Sequence, residues 1–74
     1  MRITCCIPFC RRTTAAAMLA AKGHDEWICS KHWPLTNRSW RRRLSLFRRR
    51  GRADLEARMW IRLKQQAIER ALGL

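Results

Sequence analysis

Negative charge is scarce in this chain. Five Asp and Glu residues stand against 17 Lys and Arg among 74 residues, which gives a net charge of +12. None of the five acids lies between Arg38 and Arg52. This balance predicts a polyanionic partner: nucleic acid first, and an anionic membrane surface or an acidic protein second. Arginine outnumbers lysine 14 to 3, which favours bidentate contacts with phosphates and base edges.

Long apolar runs are also missing. Residues 1–10 contain no apolar core of the kind found in export signals, and residues 13–21 are too short and too weakly apolar for an export signal or a membrane span. We therefore expect a cytoplasmic protein without a membrane partner, in which cysteine thiols stay reduced.

The motifs of common enzymes are missing as well. The chain has no glycine-rich loop for phosphates and no Ser or Cys nucleophile beside a recognisable base. His24 and Asp25 are the side chains that a degenerate metal nuclease would need. We interpret His24 as a solvated turn residue, because no Asn or second His completes a catalytic set. The sequence predicts that the protein is not an enzyme.

What the chain does contain is a set of metal-binding residue types at suitable spacing. Cys29 and His32 form a C-x2-H pair, and three further cysteines lie upstream. Zinc prefers four such ligands in a tetrahedral array, and a Cys3His set is typical of a structural site. A chain of this length has a small hydrophobic core and needs a staple. We expect one structural Zn²⁺ ion; two disulfides are the alternative, which the expected reducing compartment disfavours.

Only one of Cys5 and Cys6 is needed to complete this set. Pro8 forces a turn between the upstream thiols. We favour Cys5, because the longer loop leaves Ile7 and Phe9 free to pack, and we interpret Cys6 as a small buried apolar residue. The predicted metal ligands are Cys5, Cys10, Cys29 and His32.

Residues 13–28 leave two possibilities open. Thr13 or Thr14 can cap a helix, and Ala15 to Lys22 favours two helical turns that end at Gly23. A helix this short is marginal in water. The same small side chains could form one arm of a hairpin that turns at Gly23.

An arginine-rich segment follows the last predicted ligand. Pro34 breaks the chain there, and Thr36 or Asn37 can cap a helix that ends at Arg50 and Gly51. At 100° per residue its apolar residues form one narrow stripe, and arginines occupy the remaining circumference. The apolar stripe consists of Trp40, Leu44 and Phe47. The predicted nucleic-acid-binding residues are Arg38, Arg41, Arg42, Arg43, Arg48, Arg49, Arg50 and Arg52. The outer face, expected to bind without base specificity, is assigned to Arg41, Arg42, Arg48 and Arg49.

The C-terminal residues 53–72 predict a second helix with two apolar stripes. Asp54 and Glu56 lie in its first turn, where they complement the helix dipole, and Gly73 ends it. The first stripe is Leu55, Met59, Leu63 and Ala67, and the second is Ala57, Ile61, Ile68 and Leu72. One neighbouring helix cannot cover both stripes. We expect one to pack on the zinc module or the arginine-rich helix, and the other to be available for self-association or a protein partner.

Two motifs carry a resemblance to a known family. The pattern C-x-I-P-x-C-R-R-T, followed by W-I-C-x-K-H-W-x-L and the arginine-rich segment, resembles small treble-clef zinc-finger proteins of phage and prophage origin over roughly residues 4–50. In a treble clef the first ligand pair lies on a knuckle, a hairpin follows, and the second pair lies at the start of a helix. The resemblance implies the same four ligands and the cytoplasm of a bacterial or phage-infected cell. Phe9 stands where such knuckles often carry glycine.

These observations combine into one expectation for fold and function. We expect a small, zinc-stabilised, mainly α-helical protein of one structural domain. It would comprise a treble-clef-like zinc knuckle at residues 1–36, an arginine-rich helix at 37–50 and an amphipathic helix at 53–72. The expected function is that of an accessory protein that binds nucleic acid, DNA in preference to RNA, through the arginine-rich helix. The alternative is an interaction protein that docks on an acidic host or phage protein, or on a second copy of itself, through the C-terminal helix.

Overall fold

The computed structural model describes residues 1–21 and 23–74, and it is mainly helical. In chain order the elements are β1 (Arg2–Thr4), β2 (Thr13–Ala15), α1 (Ala16–Ala20), a single 3-10 turn (Trp33–Leu35), α2 (Arg38–Arg49) and α3 (Ala53–Ala71). The predicted mainly helical class is confirmed. In the described part of the chain, no helix combines the length and the apolar composition needed to cross a membrane.

The two strands hold a loop that carries the upstream cysteines. β1 and β2 pair antiparallel, with Arg2 opposite Ala15 and Thr4 opposite Thr13. Residues 5–12 between them form the knuckle loop. Its base is closed by the backbone N–H of Cys5, which donates to the carbonyl of Arg12 at 2.9 Å.

The sequence predicted that Ile7 and Phe9 would both be free to pack, and only Ile7 is buried. Ile7 is buried, with 3% of its surface exposed, but Phe9 is 89% exposed. The backbone explains the difference: Phe9 has a φ of +72°, a left-handed conformation that reverses the chain and is unusual for a bulky residue.

Residues 13–28 combine parts of both predicted arrangements. Thr13 and Thr14 are β-branched, a type that suits strands, and β2 pairs with β1 instead of forming a hairpin around Gly23. The helix that follows, α1, has five residues and begins at Ala16, one residue later than expected. Lys22, the predicted end of this helix, lies outside the described residues. Gly23 has a φ of +75°, as expected of a residue that follows a helix.

A capped helix and a tight turn fix the second half of the chain. Of the two candidate caps, Asn37 caps α2: its Oδ1 accepts a hydrogen bond from the N–H of Trp40 at 3.2 Å. Gly51, with a φ of +67°, ends α2 in a Schellman motif in which the N–H of Arg52 donates to the carbonyl of Phe47 at 2.9 Å. The chain passes directly from this turn into α3.

The interior consists of two adjoining clusters that share α3. The knuckle cluster contains Cys5, Ile7, Ile28, Cys29 and Ala67. The helix cluster contains Leu44, Met59 and Leu63, with Trp40 and Phe47 packed against it. Trp33 and Trp60 pack on both clusters, with ring centroids 6.2 Å apart. α3 therefore ties the two clusters together, and the division of one domain at residues 36 and 50 stays a prediction.

The two predicted stripes of α3 have different surroundings. Met59, Leu63 and Ala67 of the first stripe are buried and pack on both the knuckle and α2, where the sequence predicted one or the other. On the second stripe, Ile68 packs against the knuckle cluster, whereas Ile61 is 57% exposed.

Candidate metal centre

Three thiols and one imidazole converge beneath the knuckle loop. The ligand atoms of Cys5, Cys10, Cys29 and His32 all lie within 4.8 Å of one another. Cys5 and Cys29 are buried, and Cys10 and His32 are half-buried. All four cysteines of the chain are free thiols, so the two-disulfide alternative is not formed. This Cys3His group could hold one metal ion.

The separations within the cluster fit a tetrahedral ion. With Zn–S bonds of about 2.3 Å and a Zn–N bond of about 2.1 Å, a tetrahedral site places two sulfurs about 3.8 Å apart and a sulfur about 3.6 Å from the nitrogen. The Sγ atoms of Cys10 and Cys29 are 3.8 Å apart. The Nδ1 atom of His32 lies 3.2 Å from the Sγ of Cys29 and 4.0 Å from that of Cys5. The donor set therefore fits Zn²⁺ in both chemistry and spacing.

Local backbone turns bring the two ligand pairs to one point. In the knuckle loop the N–H of Cys10 donates to the carbonyl of Ile7 at 3.1 Å. In the second pair the N–H groups of His32 and Trp33 both donate to the carbonyl of Cys29, at 3.1 and 2.9 Å. The second pair thus lies on a turn that leads into the 3-10 turn, not at the start of α2.

Backbone N–H groups also prepare the thiols to carry charge. The N–H of Cys29 donates to the Sγ of Cys5 at 3.3 Å, a bond that favours the thiolate. Burial raises the pKa of Cys29, but hydrogen bonds from the N–H groups of His32 and Lys31 and from the His32 ring outweigh it and lower the pKa to about 6. At Cys5 burial prevails and raises the pKa. Metal ions bind thiolates, so the Cys29 side supplies a charged ligand near neutral pH.

Cys6 lies outside the cluster despite following Cys5 directly. Its thiol is half-buried and points to a carboxylate, with its Sγ 3.8 Å from the Oε2 of Glu26. Burial raises the pKa of Cys6, which keeps it a neutral thiol at pH 7. β1 ends at Thr4 and the chain bends at Cys6, and the two neighbouring thiols face different partners.

Glu26 is a residue whose role the sequence reasoning missed. Its carboxylate accepts hydrogen bonds from the Nε1 of Trp60 at 3.0 Å and from the Nζ of Lys64 at 2.7 Å. These bonds lower the pKa of Glu26, the Lys64 bond most. They join the segment before Cys29 to α3. A signal was available, since an acid adjoining an apolar segment in so basic a chain is expected to find a cationic partner.

The arginines of α2 divide into engaged and outward-facing groups. Arg41 is half-buried and donates to the carbonyl of Trp33 at 3.4 Å. Arg48 forms an ion pair with Glu56 at 2.8 Å. The other ion pair among the described residues joins Lys64 to Glu26. The remaining predicted nucleic-acid-binding arginines are exposed: Arg38, Arg42, Arg43, Arg49, Arg50 and Arg52.

This division separates the four arginines of the predicted outer face into two pairs. Arg41 and Arg48 lie about 100° and 80° from Trp40 on the wheel, so they flank the buried stripe. There Trp33 and Glu56, on neighbouring segments, come within reach of them. Arg42 and Arg49 lie on the far side, at about 200° and 180°.

Within residues 1–21 and 23–74, no second metal group accompanies this cluster. In the described residues, His24 and Asp25 join no set of three or more potential metal ligands.

Comparison of the chain with models of protein families, with curated proteins and with solved structures finds no match. The resemblance to phage treble-clef proteins therefore stays an expectation.

Proposed function

We propose that this protein is a zinc-stapled accessory protein that binds duplex nucleic acid through the outer face of α2. One Zn²⁺ ion would be held by the Cys3His group, and it would supply structural cross-linking between the knuckle loop and the turn before α2. Soft thiolate ligands and a full set of four protein donors favour zinc in a structural site. We propose a binding role without catalysis, which an assay for cleavage with added Mg²⁺ or Mn²⁺ tests.

The observation that carries this proposal is a line of exposed cations opposite a buried stripe. Arg38, Arg42 and Arg49 are exposed and belong to neither ion pair of the described residues. They follow the spacing i, i+4, i+11, which keeps them on one helix face over roughly 16 Å. On the opposite side Leu44 is 1% exposed. The helix is thus anchored by its apolar stripe while its cations remain free for phosphates.

The chemistry of this outer face favours phosphate contacts over base reading. Ser45 is an uncharged polar residue beside them, about 40° from Arg49 and about 60° from Arg42 on the helical wheel. Phosphate contacts position a protein on a duplex but carry no sequence information. We therefore propose binding that is largely independent of sequence.

The test is the double variant Arg42→Glu/Arg49→Glu. Five or six phosphate contacts give a wild-type slope of log K against log salt of about −5 on duplex DNA. Removing two contacts should change that slope to about −3 and weaken binding to all sequences about equally. Fluorescence anisotropy over a salt series measures both quantities. Zinc content should stay at the wild-type value.

A matched control separates the effect of this helix face on binding from the effect of the protein's total charge. Arg58 and Arg62 are exposed residues of α3, and Arg58→Glu/Arg62→Glu makes the same change in total charge. This variant should keep most of the slope. The proposal fails if Arg42→Glu/Arg49→Glu binds random duplex like wild type, and loss of one preferred sequence alone would instead indicate a sequence-specific reader.

A second candidate rests on exposed apolar residues of α3 and of its C-cap. Ile61 is 57% exposed and Leu72 44% exposed, so an apolar contact with an acidic protein or with a second copy has a surface to use. Such docking would be nearly insensitive to salt. Ile61→Lys would abolish it and leave binding to duplex DNA unchanged.

A further inference from the structure

The knuckle loop ends in an aromatic ring that the rest of the fold does not cover. Phe9 is 89% exposed, and its neighbour Pro8 is also exposed. Isolated apolar side chains on a surface are ordinary. Phe9 differs from them in its backbone and in its neighbours.

The backbone of Phe9 is strained. Its φ of +72° is the one positive value at a non-glycine residue in the described chain. A side chain with a Cβ atom is disfavoured there, whereas glycine adopts this conformation freely. Strained positions of this kind concentrate at ligand contacts and active sites. The ring is thus held outward at a position where glycine would serve the turn better.

The surroundings of the ring are cationic. Phe9 lines a groove of about 510 Å³ together with Arg11, Arg12 and Lys31, and this groove borders the candidate metal centre at Cys10 and His32. None of the described residues that line this groove is acidic. An exposed ring beside three cations suits a ligand that is both planar and anionic.

We propose that the ring of Phe9 stacks on an unpaired nucleobase while Arg11, Arg12 and Lys31 contact the adjoining phosphates. Proteins that bind single strands combine aromatic stacking platforms with a basic groove in this way. The inference rests on the proposed function in that the ligand is nucleic acid. It adds a contact that α2 does not make and gives the protein a site for single-stranded segments.

The decisive variant is Phe9→Gly, because glycine removes the ring and relieves the backbone at once. Its zinc affinity should equal or exceed that of wild type, so loss of the fold cannot explain loss of binding. Affinity for single-stranded oligothymidylate should fall about 5-fold to 150-fold, the range for one stacked base. Affinity for a random duplex should stay within about twofold, because a paired base offers no free face to stack on. Phe9→Trp, which restores a ring, should recover oligothymidylate binding.

Cross-linking gives an independent readout. Oligothymidylate carrying 5-iododeoxyuridine should, on irradiation, attach to the peptide that contains Phe9. Arg11→Ser/Arg12→Ser should flatten the salt slope for the single strand by about 1.4, since each lost contact contributes about 0.7.

The outcomes distinguish this inference from the function proposed above. If Phe9→Gly binds oligothymidylate like wild type, the ring of Phe9 does not contact a base and the inference is overturned. That result would leave the proposal of duplex binding by α2 unaffected. If wild type binds oligothymidylate through Phe9 but does not bind duplex DNA, the proposed role of α2 fails and the stacking site stands.

Discussion

At the scale of single residues, two adjacent cysteines have opposite environments. The Sγ of Cys5 accepts a hydrogen bond from the N–H of Cys29 and belongs to the Cys3His group. The Sγ of Cys6 faces Glu26. Their pKa values are raised by burial in both cases, so the pKa alone does not distinguish them. Position does: only the thiol beside the other donors can complete a tetrahedron.

Substitution of each cysteine tests this difference. Cys5→Ser should weaken zinc binding by several orders of magnitude, because a three-donor site loses both a thiolate and the closed coordination. Cys6→Ser, the matched control one residue away, should bind zinc like wild type. Competition with a chromophoric chelator at pH 7 measures both affinities. Full affinity in both single variants would mean that the two thiols are interchangeable.

Sequence spacing could predict the ligand types but not the strain that accompanies them. The C-x2-H pair and the upstream cysteines indicate a metal by chemistry alone, and the structure places four of them together. The left-handed backbone of Phe9 and the capture of Glu26 by Trp60 could not be read from spacing. The Glu26 contact joins segments that are distant in sequence, and the Phe9 conformation is one that a bulky residue rarely adopts.

At the scale of elements, Glu26 fastens the segment before Cys29 to α3. The carboxylate and Lys64 are 40% and 29% exposed, so solvent screens the pair and we expect a coupling energy of about 0.5 kcal/mol. A double-mutant cycle of Glu26→Gln and Lys64→Met, followed by urea denaturation of the zinc-loaded protein, measures it. A coupling of zero would mean that the ion pair contributes no stability and that Glu26 fastens this segment to α3 through its hydrogen bond with Trp60.

The pH dependence of this coupling follows from the two pKa shifts. The pKa of Glu26 is lowered on folding, so its contribution is present above the ordinary carboxyl pKa and is lost as pH falls through the lowered value. The pKa of Lys64 is raised, so its contribution is present below the ordinary lysine pKa and is lost as pH rises through the raised value. The coupling should therefore be constant from pH 6 to pH 9. Repeating the cycle at both ends of that window checks this, and a coupling that doubles or vanishes within it would contradict the assignment.

The elements themselves were predictable in proportion to their length. The periodic apolar stripe and the cap of α2, and the long amphipathic pattern of α3, could be read from the sequence with ends correct to within a few residues. The short segment at residues 13–28 could not, because its small side chains suit either helix or strand. Pairing with β1 decided between them, and the nearest paired residues, Thr4 and Thr13, are nine positions apart in the sequence.

At the scale of the whole molecule, the metal ligands and the helices share one interior. Cys5 and Cys29 belong to the same cluster as Ala67 of α3. Without an ion, the thiols of Cys5 and Cys29 would be buried in this cluster with no metal to coordinate. In small zinc domains the free energy of binding, about 10–16 kcal/mol, is largely free energy of folding.

Removal of zinc should therefore unfold the chain and not merely loosen the knuckle. Circular dichroism during titration with a chelator should show loss of most helical signal. Metal analysis should show that the zinc content falls in equal proportion. Returning Zn²⁺ should restore the signal. Helical content that persists after complete removal of zinc would show that the two clusters stand without the ion.

The closeness of Trp33 and Trp60 offers an optical readout of the proposed zinc site. Trp33 directly follows His32, and the two indole rings are 6.2 Å apart with a 31° tilt. Indoles at that distance exchange excitation and couple their electronic transitions, so zinc release should change the emission spectrum and remove a near-ultraviolet dichroic band together. Occupancy of the metal site can thus be followed continuously in unlabelled protein, at concentrations too low for direct metal analysis.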